Sequence, residues 1–195
     1  MNRRRTYTTL FRSLKERGLE TVWLCVSDAH YGLRTAVKKS FLGCSWQRCK
    51  VHFMRNILAH VSRKAKASFA QKLKSIWTQP TREAALMMAR VFIEEYGTRF
   101  PKGIEVLQDG LEDSLQYYVF DRFDFRKISS TNLLERLNEK IRRRTRVVGI
   151  FPGADSYLRL VASYLIEYAE DWATGKSYIS PVLIEERQSQ LQMVA

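Results

Sequence analysis

Hydrophobic residues along this chain fall first into two short runs and then, from Met54 to Arg126, into the spacing of helices. Val22-Trp23-Leu24-Cys25-Val26 is an unbroken apolar run rich in strand formers, and it ends at Ser27-Asp28. It predicts a buried strand whose carboxyl end delivers Asp28. Ahead of it, Leu10, Phe11 and Leu14 space as a short helix that Gly18 stops. Met1–Thr8, with Arg3-Arg4-Arg5, has no hydrophobic period and is expected to be an irregular lead. Gly32–Lys39 suits a second helix, closed by Phe41–Gly43. Ser45–Phe53 alternates with period two in its second half and predicts a second strand.

Beyond Met54 the apolar positions Ile57, Leu58, Val61, Phe69, Leu73, Ile76 and Trp77 mark one helix or a pair. Pro80 breaks the chain and Thr81 is placed to cap the helix that follows. Phe100–Gly103 interrupts the pattern, which resumes from Ile104 to Phe120. Met87 and Met88 are expected in the core, as are Trp23, Trp46, Trp77 and Trp172. In Thr131–Arg146 a buried stripe is expected at Leu134, Leu137 and Ile141, with Asn132, Glu135, Asn138, Glu139 and Arg142 on a polar face. Val147–Gly153 reads as a tight apolar turn. A final helix is expected over Leu158–Ala173, with Leu160, Val161, Tyr164 and Leu165 inward.

With 195 residues, 45% of them hydrophobic, the chain can bury a core of its own. The formal charge of +13 makes a polyanion the expected partner. That charge is patterned: residues 1–75 hold 17 Lys and Arg against 3 Asp and Glu, whereas residues 76–125 hold 5 against 9. Basic character returns in residues 126–146, so two cationic blocks flank an acidic middle. Nucleic acid suits this better than a membrane, because no basic amphipathic helix faces a bulky apolar one and no run approaches the roughly 20 apolar residues of a span. The lead lacks the apolar core of a signal peptide. Cys25, Cys44 and Cys49 are odd in number, against a disulfide framework and for a reducing, cytoplasmic compartment.

Two carboxylates invite a chemical reading. Asp28 sits where open α/β sheets bind ligands, at a strand's carboxyl end, although local sequence alone suits a residue that simply caps the next helix or makes an Asx-turn. Glu135 stands three residues after Asn132, a capping-box spacing, yet it also shares a face with a dense cationic block. Glu139 is the more suited of the two helix acids to a plain ion pair with Arg142 or Arg143. Arg142, Arg143, Arg144 and Arg146 exceed what a helix end needs and are expected on phosphates. Cys49 and His52 have metal-ligand spacing, but no second pair completes a zinc site, so a buried Cys beside a hydrogen-bonded His is expected.

The segments Leu14–Leu19, Val26–Leu33, Trp46–Asn56, Thr131–Asn138 and Arg142–Pro152 together resemble the Mutator-like transposases of bacterial insertion sequences. The likeness runs from about Leu10 to Ser180. That family has a DDE catalytic site on an RNase H-like core. The resemblance implies an α/β fold: an incomplete RNase H-like core interrupted by an all-helical insertion. Residues 1–8 would be the lead, 9–53 the first part of the core, 54–126 the insertion, 127–180 the completing helices and 181–195 a tail.

By the same resemblance Asp28 is the second Asp of the triad and Glu135 its Glu, together holding Mg²⁺ or Mn²⁺. Cys49 and His52 match the family's Cys-x-x-His signature, and Asn132 and Asn138 belong to the segment around Glu135. Arg48, Lys50 and Arg55 are expected to join the arginine block on DNA. The implied partners are double-stranded DNA, as element ends and target, and further copies of the chain on that DNA; no membrane and no small-molecule substrate are expected. A bacterial, nucleoid-associated location follows. The first Asp of the triad has no counterpart here, since only Glu16 and Glu20 precede Asp28. The chain is therefore expected to be a fragment inactive alone, with a non-catalytic binder or inhibitor of intact transposase as the alternative.

Overall fold

In a computed structural model the chain is described over residues 3–174 and 178–192. It is mostly helical with a small parallel sheet, and it divides into two compact units. The first comprises residues 1–121 and 128–131, the second residues 122–127 and 132–195.

In the first unit, helix α1 spans Arg3–Glu16. It starts well before Leu10, so the stretch expected as an irregular lead is helical over its described residues, Arg3–Thr8. Strand β1 (Leu24–Ser27), helix α2 (Tyr31–Ser40) and strand β2 (Ser45–Arg48) make one β-α-β unit. The strands pair in parallel with Leu24 opposite Ser45 and Ser27 opposite Arg48. Ser45 N–H donates to the Trp23 carbonyl at 2.9 Å, and Cys49 N–H to the Ser27 carbonyl at 2.8 Å, so the ladder runs past both ends. Phe11 and Phe41 meet edge to face at 5.3 Å and, with Ala36 and Val37, form the small core under α1 and α2.

The expected second strand stops at Arg48, and its second half becomes helix α3 (Lys50–Leu58). Cys49, Phe53 and Ile57 are fully buried at four-residue spacing, which is helical burial and overrides the local alternation. Helices α4 (Lys66–Lys74), α5 (Arg82–Tyr96) and α6 (Pro101–Ser114) complete a larger helical core, with short 3-10 turns at Ser75–Thr78 and Gln116–Phe120. Thr81 caps α5 as expected, its Oγ1 accepting from Ala84 N–H at 3.1 Å. Pro101 does not break a helix but opens one, at a first-turn position where its missing N–H costs nothing. Phe69 packs edge to face on Phe92, Tyr96 and Phe100. Met87 is exposed and Met88 only half-buried, contrary to their expected core role.

Buried polar groups join sheet to helices. Gln47, with no exposed surface, donates to the carbonyls of Arg48 and Ser114 and accepts from Tyr117 N–H at 2.9 Å. Every polar end of that amide is thereby used, as burial demands. Trp77 Nε1 donates to Ser114 Oγ at 2.9 Å. Trp46 and Trp77 are core residues as expected; Trp23 is half-buried, and the side chain of Trp172 lies outside the described residues.

Helix α7 (Phe125–Ile128) is a single turn. In the second unit, helices α8 (Asn132–Val148) and α9 (Ala154–Thr174) pack on each other. Helix α10 (Pro181–Gln192) occupies most of the stretch expected as a tail, whose last residues lie outside those described. On α8 the half-buried stripe is Leu133, Leu137 and Ile141; Leu134 is exposed instead. On α9 Tyr164 is buried and Leu160 and Val161 half-buried, but Leu165 faces outward. Gly149, at φ +74°, turns the chain after α8, a conformation that favours glycine. Among the described residues no helix is long and apolar enough to cross a membrane.

Candidate functional site

The carboxyl end of β1 delivers Asp28, as the apolar run predicted, and leaves its side chain more than half exposed. The capping role that competed for Asp28 falls to His30, whose Nδ1 accepts from Leu33 N–H at 3.2 Å at the start of α2. Asp28 Oδ1 lies 2.5 Å from His52 Nδ1. His52 stands in the first turn of α3, one turn beyond Cys49, which precedes that helix. Carboxylate oxygen, imidazole nitrogen and thiol sulfur of Asp28, His52 and Cys49 all lie within 4.8 Å of one another.

Cys49 is fully buried, and its Sγ accepts from both Thr131 N–H (3.4 Å) and Thr131 Oγ1–H (3.3 Å). Lys50 N–H donates to the Ser129 carbonyl at 3.0 Å. Residues 128–131, the segment leading to Glu135, are thus fastened to the end of β2. The expectation of a buried Cys beside a hydrogen-bonded His holds for Cys49. The third member, Asp28, is a carboxylate, so the spacing of Cys and His residues alone gave no sign of it. Thr131 carried no recognisable signal as a sulfur donor.

Arg48, expected on DNA, is half-buried, its guanidinium 4.1 Å from the Phe53 ring centre. Burial pulls its pKa down, against the opposing pull of Asp113, Asp109 and Asp28. Beside it Arg34 makes a two-pronged pair with Asp113, at 2.8 and 2.9 Å, and lies over Trp46. Lys50 is half-buried and Arg55 exposed.

In the second unit Glu135, Glu139, Arg142, Arg143 and Arg146 line one groove of about 790 Å³. Spaced at 135, 139, 142 and 146, they share the polar face of α8 that the sequence predicted. Glu135 is half-buried, while Asn132 and Asn138 are exposed. Asn132 is the first residue of α8, not the residue before it, so the capping-box register expected for Asn132 and Glu135 is shifted. Arg144 turns the other way: it pairs with Glu167 at 3.0 Å and covers the Tyr164 ring at 4.1 Å, both on α9. Three arginines of the block thus face the groove and one fastens two helices.

By donor chemistry the carboxylates of Asp28 and Glu135 suit Mg²⁺, which takes oxygen ligands; Cys49 and His52 do not. Asp28, Cys49, His52, Glu135 and the arginine block all fall in the segments by which the sequence resembled one family. The sequence model of the family described as "Transposase, Mutator family" matches residues 2–175. The chain belongs to the Mutator family of transposases. Relatives include the transposase for insertion sequence element IS256 in transposon Tn4001 of Staphylococcus aureus, 39% identical over 180 residues, or 90% of this chain. The transposase for ISRM5 of Rhizobium meliloti is 38% identical over 86% of this chain, and that for IS1081 of Mycobacterium tuberculosis 35% over 89%. This family member spans only 45%, 42% and 42% of those three relatives.

Proposed function

We propose that this chain supplies Asp28 and Glu135 to a DNA transposition site that cleaves insertion-sequence ends and joins the freed 3′-hydroxyl to target DNA. The observation that carries this reading is Asp28 itself: a solvent-facing carboxylate at a strand end, relieved of capping by His30, in a chain of this family. The β1-α2-β2 unit is then part of an RNase H-like core, and the helices over 54–126 its insertion. Magnesium held by Asp28 and Glu135 would supply charge neutralisation at the scissile phosphate and a more acidic attacking oxygen. Arg142, Arg143 and Arg146 would grip phosphates along the groove and set the DNA's register, without reading its sequence. In cleavage the phosphorus bond to the 3′ oxygen breaks as one to water's oxygen forms, and the leaving 3′ oxygen takes a proton. Joining repeats the exchange, with the 3′-hydroxyl as nucleophile and a target 3′ oxygen leaving.

Glu16 ends helix α1 and Glu20 follows it, so neither stands on a strand. The arginine-lined groove of α8 favours a second reading, a DNA-binding chain that does no chemistry of its own. One assay separates the two. The purified chain is given DNA carrying an element end, with Mg²⁺, alone and with a polypeptide containing the opening strands of a relative. The expected result is binding without nicking alone, and nicking when the second polypeptide is added. Asp28→Asn and Glu135→Gln should each lower that nicking by at least about a hundredfold, the order expected when a metal-held centre is lost, with DNA retention unchanged. Nicking that both variants support equally overturns the catalytic reading. Binding with no nicking in either mixture establishes the second.

A further inference from the structure

The geometry points to a second metal chemistry at Asp28: with Cys49 and His52 it forms a binding site for a zinc-class divalent ion. One sulfur, one imidazole nitrogen and one carboxylate oxygen lie within 4.8 Å of one another, a donor set that zinc takes with water as the fourth ligand. Magnesium disfavours the sulfur and nitrogen of this set. The three residues come from elements already locked together. Cys49 N–H is bonded to the carbonyl of Ser27, which neighbours Asp28, and His52 lies one helical turn beyond Cys49.

Two further observations favour an ion there. Thr131 directs a backbone N–H and a hydroxyl at Cys49 Sγ, the kind of outer partner that holds ligand atoms in place around metals. Solvent reaches the other two ligands, Asp28 being 57% exposed and His52 23%. His52 Nδ1 and Asp28 Oδ1 sit 2.5 Å apart. Binding opens that separation to about 3.3 Å, the spacing of two donors each about 2.0–2.1 Å from a tetrahedral ion. The exposed Asp28 side chain is free of core packing and can make that turn. An ion held here occupies Asp28 and withholds it from magnesium, so that zinc-class ions inhibit. This consequence rests on the function proposed above; the ion binding does not.

The test is a titration of the purified chain with Co²⁺, without DNA or Mg²⁺. A single tetrahedral site should appear, with a near-ultraviolet sulfur-to-cobalt band that Zn²⁺ removes and excess Mg²⁺ leaves intact. Cys49→Ser should abolish the band. Asp28→Asn, a change at an exposed side chain that circular dichroism can show to be folded, should weaken cobalt binding at least about tenfold, as should His52→Ala. Thr131→Val should weaken it while keeping the band. Absence of a sulfur band overturns the proposal, as does a band that survives Cys49→Ser, which would put the ion on Cys25 or Cys44. Unchanged affinity in Asp28→Asn overturns it as well. Should cobalt bind at these residues while the nicking assay fails, the function falls and the site stands.

Discussion

At Gly110 an added methyl would clash with Arg48 Nη1 and lie 2.8 Å from two ring atoms of Phe53. Those neighbours cannot retreat cheaply, because Phe53 is fully buried and Arg48 is stacked on it. Gly110→Ala is therefore expected to cost about 1–3 kcal/mol, as overpacking does, and to lower the melting temperature by about 3–10 °C in a chain of this size. Gly103 on the same helix is the control: there the nearest atom is the Ile57 carbonyl oxygen at 3.4 Å. Gly103→Ala should hold or raise the melting temperature, since alanine gains up to about 1 kcal/mol of helix propensity. Thermal melts of the two variants side by side check both. Nothing in the sequence distinguishes these glycines. Asp28, by contrast, was legible, because an apolar run ending in Ser-Asp marks a strand end by composition alone. Its neighbour His52 was not, since 24 positions separate them and only the pairing of β1 with β2 brings them together.

Among elements, α8 shows what helical periodicity can and cannot resolve. The polar face carrying Glu135, Glu139 and Arg142 was readable from spacing. The apolar stripe lies one residue away from the expected one, at Leu133 in place of Leu134, because two adjacent leucines satisfy the period almost equally. The arginines look like one block in the sequence, yet packing on α9 divides them. Replacing Arg142, Arg143 and Arg146 together with Gln should weaken DNA binding and reduce the slope of log affinity against log salt by about 0.9 for each phosphate no longer neutralised. Arg144→Gln should leave that slope unchanged and destabilise the α8–α9 pair, because its charge is already engaged by Glu167 and Tyr164. Anisotropy titrations on one duplex at several salt concentrations, alongside melts, distinguish the two. An equal fall in slope in both variants would mean that Arg144 leaves α9 to reach DNA. Strand β2 is shorter than expected for a related reason: Ser45–Phe53 alternates locally, while the four-residue spacing of Cys49, Phe53 and Ile57 needs a longer window to be seen.

For the molecule as a whole, the uneven thickness of the first unit's interior has a measurable consequence. Around Phe69 the helices α4, α5 and α6 bury Phe69, Leu73, Ala85, Ala89 and Leu107 completely. Among the described residues the sheet has two strands, and Leu24, Cys25 and Val26 are all half-buried, lining an open apolar groove of about 270 Å³ with Phe11, Leu14 and Phe41. Two strands are marginal on their own, and this pair leans on helices along only part of its surface. Burial free energy scales with apolar area removed from water, so the sheet has less to hold it closed than the helical core does. Local opening should follow that difference. In hydrogen exchange followed by mass spectrometry, the amides of Leu24–Ser27 should exchange at least about tenfold faster than those of α5 and α6, a gap of about 1.4 kcal/mol in opening free energy. Leu24→Ser should leave the protection of α5 and α6 unchanged while reducing the chain's binding of an apolar dye. Equal protection in strands and helices would show that the chain opens only as one cooperative body, with the groove too shallow to matter. Asp28 rides on the end of this sheet, one residue past β1. A strand that opens readily would make the fastening of Cys49 to Thr131 and Ser27 the feature that keeps Asp28 and His52 together.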